Sequence, residues 1–118
     1  MDKTKRRALR GAAQALQEFQ RYQTDIPLSR IQALIVVAQN PGITTSELAP
    51  LVKLTSRAAA EAVGILGTDG VKVPGKRERV GGWGLLTAVR DPEDHRRKRL
   101  WLSPAGHALV KRAAALMG

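Results

Sequence analysis

The chain has 118 residues, with 20 Lys and Arg against 10 Asp and Glu, and no cysteine. One domain is expected, because domains commonly run ~100–150 residues. The missing cysteines exclude a disulfide framework, a thiol switch and a thiolate metal site, and no apolar run approaches the ~18 residues that span a bilayer. The formal net charge of +10 is unevenly spread. Residues 1–10 carry five basic groups and one acid, and residues 72–99 carry nine basic groups and four acids, whereas residues 11–71 are close to neutral. That asymmetry suits a polyanion, because cations displace counterions condensed on phosphates. The competing reading is a solubilising surface. The basic start, MDKTKRRALR, lacks the apolar segment of a signal peptide, and the absence of cysteine makes a cytoplasmic location the expectation.

In chain order, residues 4–23 read as an amphipathic helix, with Leu9, Ala12, Leu16, Phe19 and Gln23 along one stripe. Residues 1–24 form an N-terminal segment that packs either on a partner subunit or on its own domain. Pro27 disfavours helix at Ile26 and closes that segment. A second helix is expected over 29–39, with Ile31, Leu34, Ile35 and Ala38 on one face, stopped by Asn40-Pro41-Gly42. Thr44 and Glu47 have the spacing of a capping box, and Ile43 and Leu48 that of a hydrophobic staple. They open a helix over about 45–53, short or bent because Pro50 lacks an N–H. Thr55 is the next N-cap, starting SRAAAEAVGILG. Ala59, Ala62, Val63 and Leu66 face inward there, and Ser56, Arg57, Ala60 and Glu61 face outward. Two short helices joined by a few residues at Lys53 to Thr55 have helix-turn-helix spacing, the second being the recognition helix. Its small outward alanines allow close approach to a major-groove floor.

Residues 67–84 break the pattern with glycines at 67, 70, 75, 81, 82 and 84. The segment carries Lys72, Lys76, Arg77 and Arg79, and reads as a mobile basic loop with a short strand near Val71 to Val73. A β-hairpin follows, with strands at 85–90 and 98–102 around a charged turn at 91–97. Ser103 as N-cap and Pro104 at the first helical position start a short last helix. The expected fold is therefore mainly α with a small antiparallel β-hairpin wing, a winged helix-turn-helix over 28–118.

These residues resemble the multiple-antibiotic-resistance regulator (MarR) family. LSRIQALIVVAQNPGITTSELA at 28–49 is similar to that family's second helix and first helix-turn-helix helix, and LTSRAAAEAVGIL at 54–66 to its recognition helix. DPEDHRRKRLWLSPAG at 91–106 carries the most specific pattern, Asp94-His95-Arg96 followed by Leu102-Ser103-Pro104-Ala105-Gly106. The resemblance implies that Arg96 enters a minor groove while Asp94 orients it. It also implies a transcriptional regulator, acting as a repressor and a homodimer, with an effector pocket between the dimerisation helices and the DNA-binding lobe. No residue identifies a small-molecule effector. The chain departs from the family in about fourteen residues inserted between recognition helix and wing, in Glu61 and Gly64 within the recognition helix, and in its short end after Gly106.

The expected partner is double-stranded DNA. Arg96, Arg97 and Lys98 cluster in the wing, although alternating strand faces keep them from all entering one groove. Thr55, Ser56 and Arg57 open the recognition helix, where base edges are reached. Arginine can bond both acceptors of guanine, against the alternative of an i,i+4 pair between Arg57 and Glu61. Ala60 and Glu61 complete that face. Thr44 and Thr45 either present backbone amides to a phosphate or only cap their helix. Arg77 and Arg79 either track the DNA backbone or belong to a solvated loop. Trp83 and Trp101 are expected to pack at the wing base.

His95 and His107 have no ligand-spaced partners, so neither metal nor cofactor is expected. No catalytic motif is present, and salt bridging accounts for the carboxylates Asp91, Glu93 and Asp94. Two other readings remain open. One is a winged-helix accessory factor of replication, recombination or excision. The other is a protein-interaction winged helix whose basic faces meet an acidic protein.

Overall fold

The computed structural model describes all residues, Met1–Gly118. It has five helices, α1 (Lys3–Phe19), α2 (Leu28–Gln39), α3 (Thr45–Leu51), α4 (Ser56–Leu66) and α5 (Pro104–Met117). Three strands, β1 (Ile43–Thr44), β2 (Leu86–Arg90) and β3 (Lys98–Leu102), form one antiparallel sheet in the order β1-β3-β2. No helix is long and apolar enough to cross a membrane.

Local chemistry sets most boundaries. The Thr44 hydroxyl accepts from the Glu47 N–H at 3.1 Å, and the Glu47 carboxylate accepts from the Thr44 N–H at 3.1 Å, which completes the capping box of α3. Thr55 caps α4 by accepting from the Ala58 N–H at 3.1 Å, and Ser103 caps α5 by accepting from the Gly106 N–H at 3.0 Å. Each such cap satisfies an amide that the first helical turn leaves unpaired. Lys53, between α3 and α4, takes φ 55°, the left-handed turn that reverses the chain between the two helices. α3 ends at Leu51, two residues earlier than expected, with Pro50 in its last turn.

The core is aliphatic, as a chain with few aromatics requires. Phe19, Leu34, Leu48, Leu66, Leu85, Leu86, Leu100 and Leu109 are fully buried and join one cluster. α2 runs through its middle, touching α3, α4, α5 and β3. That central position explains why Ala33 and Val37 are buried in addition to the expected Ile31 and Leu34, while Ile35 and Ala38 are only half-buried. The third strand was not expected. β1 is two residues long, too short for a periodic signal, and exists because Ile43 and Thr44 pair with Leu100 and Arg99 of β3.

Two expectations require correction. α1 stops at Phe19, and its buried stripe is Gly11, Ala15 and Phe19, while Leu9 and Leu16 are 56% and 43% exposed. The reason is close packing of α1 on α5. A methyl group at Gly11 would fall on the Leu116 carbonyl oxygen, so the smallest side chains, not the leucines, face the neighbouring helix. Ala15 and Phe19 nonetheless belong to the same cluster as the rest of the core.

The second correction concerns residues 67–84, whose two ends are bound to α4 and its C-cap. The Gly70 N–H donates to the Gly64 carbonyl at 2.8 Å, those of Gly82 and Trp83 to Ile65 at 2.9 and 3.0 Å, and that of Gly84 to Gly67 at 2.9 Å. Val71 and Val80 form an antiparallel bridge, closing the segment into a small second hairpin. Its glycines make this possible: Gly81 has φ +86°, and a Cβ there would lie 2.6 Å from the Ile65 Cα.

Candidate nucleic-acid interface

The wing is organised by one buried carboxylate. Asp91, 3% exposed, accepts from the Glu93 N–H at 2.9 Å and from Arg99 Nε at 3.1 Å, and pairs with Arg97 at 3.2 Å. Arg99 also donates to the Gly42 carbonyl at 2.9 Å, which ties the wing to the turn before β1. The Glu93 N–H, with Arg99 and Arg97 beside it, holds the Asp91 carboxyl below its ordinary value. Asp91 and Arg99 tie the wing together, and sequence reasoning undervalued them. They stand eight positions apart and meet only because Val89 pairs with Arg99 across the hairpin.

The tip repeats this arrangement on a smaller scale. Asp94 accepts from the Arg96 backbone N–H at 3.0 Å and from its guanidinium at 3.1 and 3.3 Å. Those bonds depress the Asp94 carboxyl. They also fix the direction of an Arg96 side chain that is 91% exposed. The turn thus spends Asp91 and Asp94 on positioning arginines, whereas Glu93 makes no ion pair.

Between wing and helices lies a cleft of about 510 Å³. Arg96, Arg97 and Lys98 line one wall, and Thr45, Ser46, Ser56 and Ala60 line the other. Arg79 reaches it from the 67–84 hairpin, held by a 2.9 Å bond from its Nε to the Asp69 carbonyl. Thr55, Arg57 and Glu61 lie outside the cleft on exposed parts of α4. Arg57 and Glu61 approach to 3.8 Å with Arg57 92% exposed, a surface pair of the kind worth only ~0.3–0.5 kcal/mol. Arg57 is therefore available to another anion. Arg77 is exposed on the hairpin and does not line the cleft.

Thr44 lines the inner edge of the cleft but is 3% exposed, and its hydroxyl is committed to Glu47. Bonds from Thr44, with Arg99 and Arg97 nearby, hold the Glu47 carboxyl low. Trp101 sits on the wing beside Gly42, as expected. Trp83 instead stacks near Tyr22 at 5.7 Å and under Arg30 at 5.9 Å, bracing the turn between α1 and α2. No group of three His, Asp or Glu side chains is arranged to hold a metal ion.

The fold is that of solved MarR-like proteins. The chain superposes on MarR with TM-score 0.61 at 18% identity, covering 84% of this chain and 64% of MarR. It matches S. aureus MepR, solved as a DNA complex, with TM-score 0.62 at 21% identity over 90% of this chain and 72% of MepR. It matches the PcaV transcriptional regulator from Streptomyces coelicolor, solved with its natural ligand, with TM-score 0.59 at 26% identity over 79% of this chain and 56% of PcaV. The chain thus spans somewhat under two thirds of MarR and little more than half of PcaV. No family model and no curated protein matches it. The chain has a MarR-like winged helix-turn-helix fold.

Proposed function

We propose that this chain is a sequence-specific double-stranded-DNA-binding transcriptional regulator acting as a repressor. In this reading α4 enters the major groove, and the wing formed by β2 and β3 enters the adjacent minor groove. The observation that carries it is Arg96, oriented by Asp94 at an exposed β-turn tip, facing the outer side of α4 across a cleft lined by cations. A narrow minor groove concentrates negative potential that attracts such an arginine. The cleft between helix and wing would then straddle a phosphate strand, with Arg97 and Lys98 on its wall.

On α4, Ser56 and Arg57 occupy the first turn, the part of a recognition helix that reaches base edges. Ala60 leaves room for close approach. The MepR–DNA complex supports the assignment by analogy of fold. Exposed Leu9, Leu16, Leu116 and Met117 on α1 and α5 support a homodimer, which would set two copies of α4 about 34 Å apart on a pseudo-palindrome. A shallower apolar cleft of about 370 Å³, lined by Leu16, Ile26, Leu28 and Ile31, is where a small-molecule effector would sit in such a regulator, as PcaV's ligand suggests.

Selection from a random duplex library tests sequence specificity. A two-fold-symmetric consensus is expected, and no enrichment over input would refute the reading. Arg96→Ala on the selected duplex should weaken binding and reduce the slope of log K against log salt by about 1. An unchanged slope would refute the wing assignment.

A further inference from the structure

We propose that the 67–84 hairpin is a second wing that grips the duplex backbone on its own account. The inference rests on the DNA-binding reading and adds a third contacting element to α4 and the first wing. It starts from Gly64, out of place in a recognition helix by propensity alone. A Cβ there would lie 2.7 Å from a Val71 methyl carbon and 2.9 Å from the Gly70 carbonyl oxygen. Gly64 is a seat: it lets the hairpin dock against the helix. Gly81 does the same from the hairpin's side, against Ile65. The Val71–Val80 bridge and the bonds to Gly64, Ile65 and Gly67 fix the base of the hairpin. A loop that served only as a spacer would need none of these close approaches.

The hairpin carries four cations against two acids, Asp69 and Glu78, and neither acid pairs with any of them. Lys72, Lys76, Arg77 and Arg79 are all exposed, and none makes an ion pair. In the first wing, by contrast, Asp91 and Asp94 take up Arg96, Arg97 and Arg99. Arg79 opens into the same cleft as Arg96 and Lys98, so the hairpin lies on the side of α4 that faces the first wing's cations. No aromatic side chain stands among residues 67–82, so base stacking on single strands has no platform there. Unpaired cations match phosphates; Arg79 lines the cleft shared with α4, and Lys72, Lys76 and Arg77 extend that charge along a hairpin whose base is docked on the helix.

The test measures the salt dependence of binding to a fluorescein-labelled 40-base-pair random-sequence duplex, using the full chain. Four proteins are compared: the wild type, Arg96→Ala, a hairpin triple (Lys76→Gln, Arg77→Gln, Arg79→Gln), and an equal-charge control triple on α1 (Lys3→Gln, Lys5→Gln, Arg10→Gln). Each lost phosphate contact lowers the slope by ~0.9, so the hairpin triple should lower it by up to about 2.7, and the control by less than half a unit. Single Lys76→Gln and Arg77→Gln variants, each expected to lose up to about one unit, cover the case of a misfolded triple. If Arg96→Ala lowers the slope and the hairpin variants track the control, the second wing is refuted while the DNA-binding reading stands. If the wild type does not bind the duplex, the underlying reading fails; if only Arg96→Ala leaves the slope unchanged, the first-wing assignment fails.

Discussion

Substituting Gly64 with alanine separates a docked hairpin from a free loop by the sign of its effect. Gly64 lies inside α4, where glycine is ~0.8–1.0 kcal/mol less favourable than alanine. A free loop would therefore make Gly64→Ala stabilising by about that amount. In the docked arrangement the new methyl meets the Gly70 carbonyl oxygen at 2.9 Å and a Val71 methyl carbon at 2.7 Å. Val71 can swing, but the Gly70 backbone is held by its own 2.8 Å bond to Gly64. Overpacking of this kind costs about 1–3 kcal/mol. Against the helix gain, the net expectation is a loss of about 1 kcal/mol. With an unfolding entropy of ~2.1 cal/mol/K per residue, that loss lowers Tm by about 4 °C in a chain of this size. Differential scanning calorimetry at neutral pH reads it directly. A Tm rise of about 4 °C would show that nothing rests on Gly64, and the docking argument would fall.

Two further expectations concern the wing and its base. Gly106→Ala would put a methyl on the Leu85 carbonyl oxygen, where the first turn of α5 crosses the chain entering β2. A loss of about 1–3 kcal/mol is expected, or a Tm lower by roughly 4–12 °C; a Tm within 2 °C of wild type would show that the contact relaxes freely. Glu47, Asp91 and Asp94 all have folded pKa values depressed below their ordinary 4.5, 3.8 and 3.8. A depressed carboxylate stabilises the fold above its unfolded pKa and loses that contribution as pH falls through the folded one. Thermal stability should therefore not decline on this account between pH 7 and about 5, and should drop below about pH 4. Asp91→Asn should shrink that acid step, and an unaltered step measured by circular dichroism would place its origin elsewhere.

The elements that declared themselves in the sequence did so through local chemistry. Thr44 with Glu47, Thr55, and Ser103 with Pro104 opened three helices at the residues that cap them. The hairpin strands were legible because branched and aromatic residues flank a charged turn. The Asp94–Arg96 pairing was implied by the family resemblance, and the two side chains meet two residues apart. What escaped was set by contacts distant in sequence. β1 is strand only by virtue of β3. The buried face of α1 is chosen by the backbone of α5 at Leu116, not by the positions of its leucines. Glycine content suggested mobility for residues 67–84, yet glycine equally serves close approach, and only the partner surface on α4 distinguishes the two uses.

The composition of the α4 face bears on how affinity and specificity would divide. Its outward residues are Ser56, Arg57, Ala60 and Glu61, with one cation and one anion among them, so the helix itself contributes almost no net charge. A duplex-binding surface draws most of its affinity from phosphate neutralisation and its discrimination from base edges. In the proposed DNA-binding reading the cations stand beside the helix, in the Arg96–Lys98 cluster and in the 67–84 hairpin, while the helix would offer a small, nearly neutral reading face. Substitutions on α4 should therefore change which sequences are preferred at nearly constant salt slope. Substitutions in either hairpin should change the slope with little effect on preference, apart from Arg96 if it reads minor-groove width as proposed.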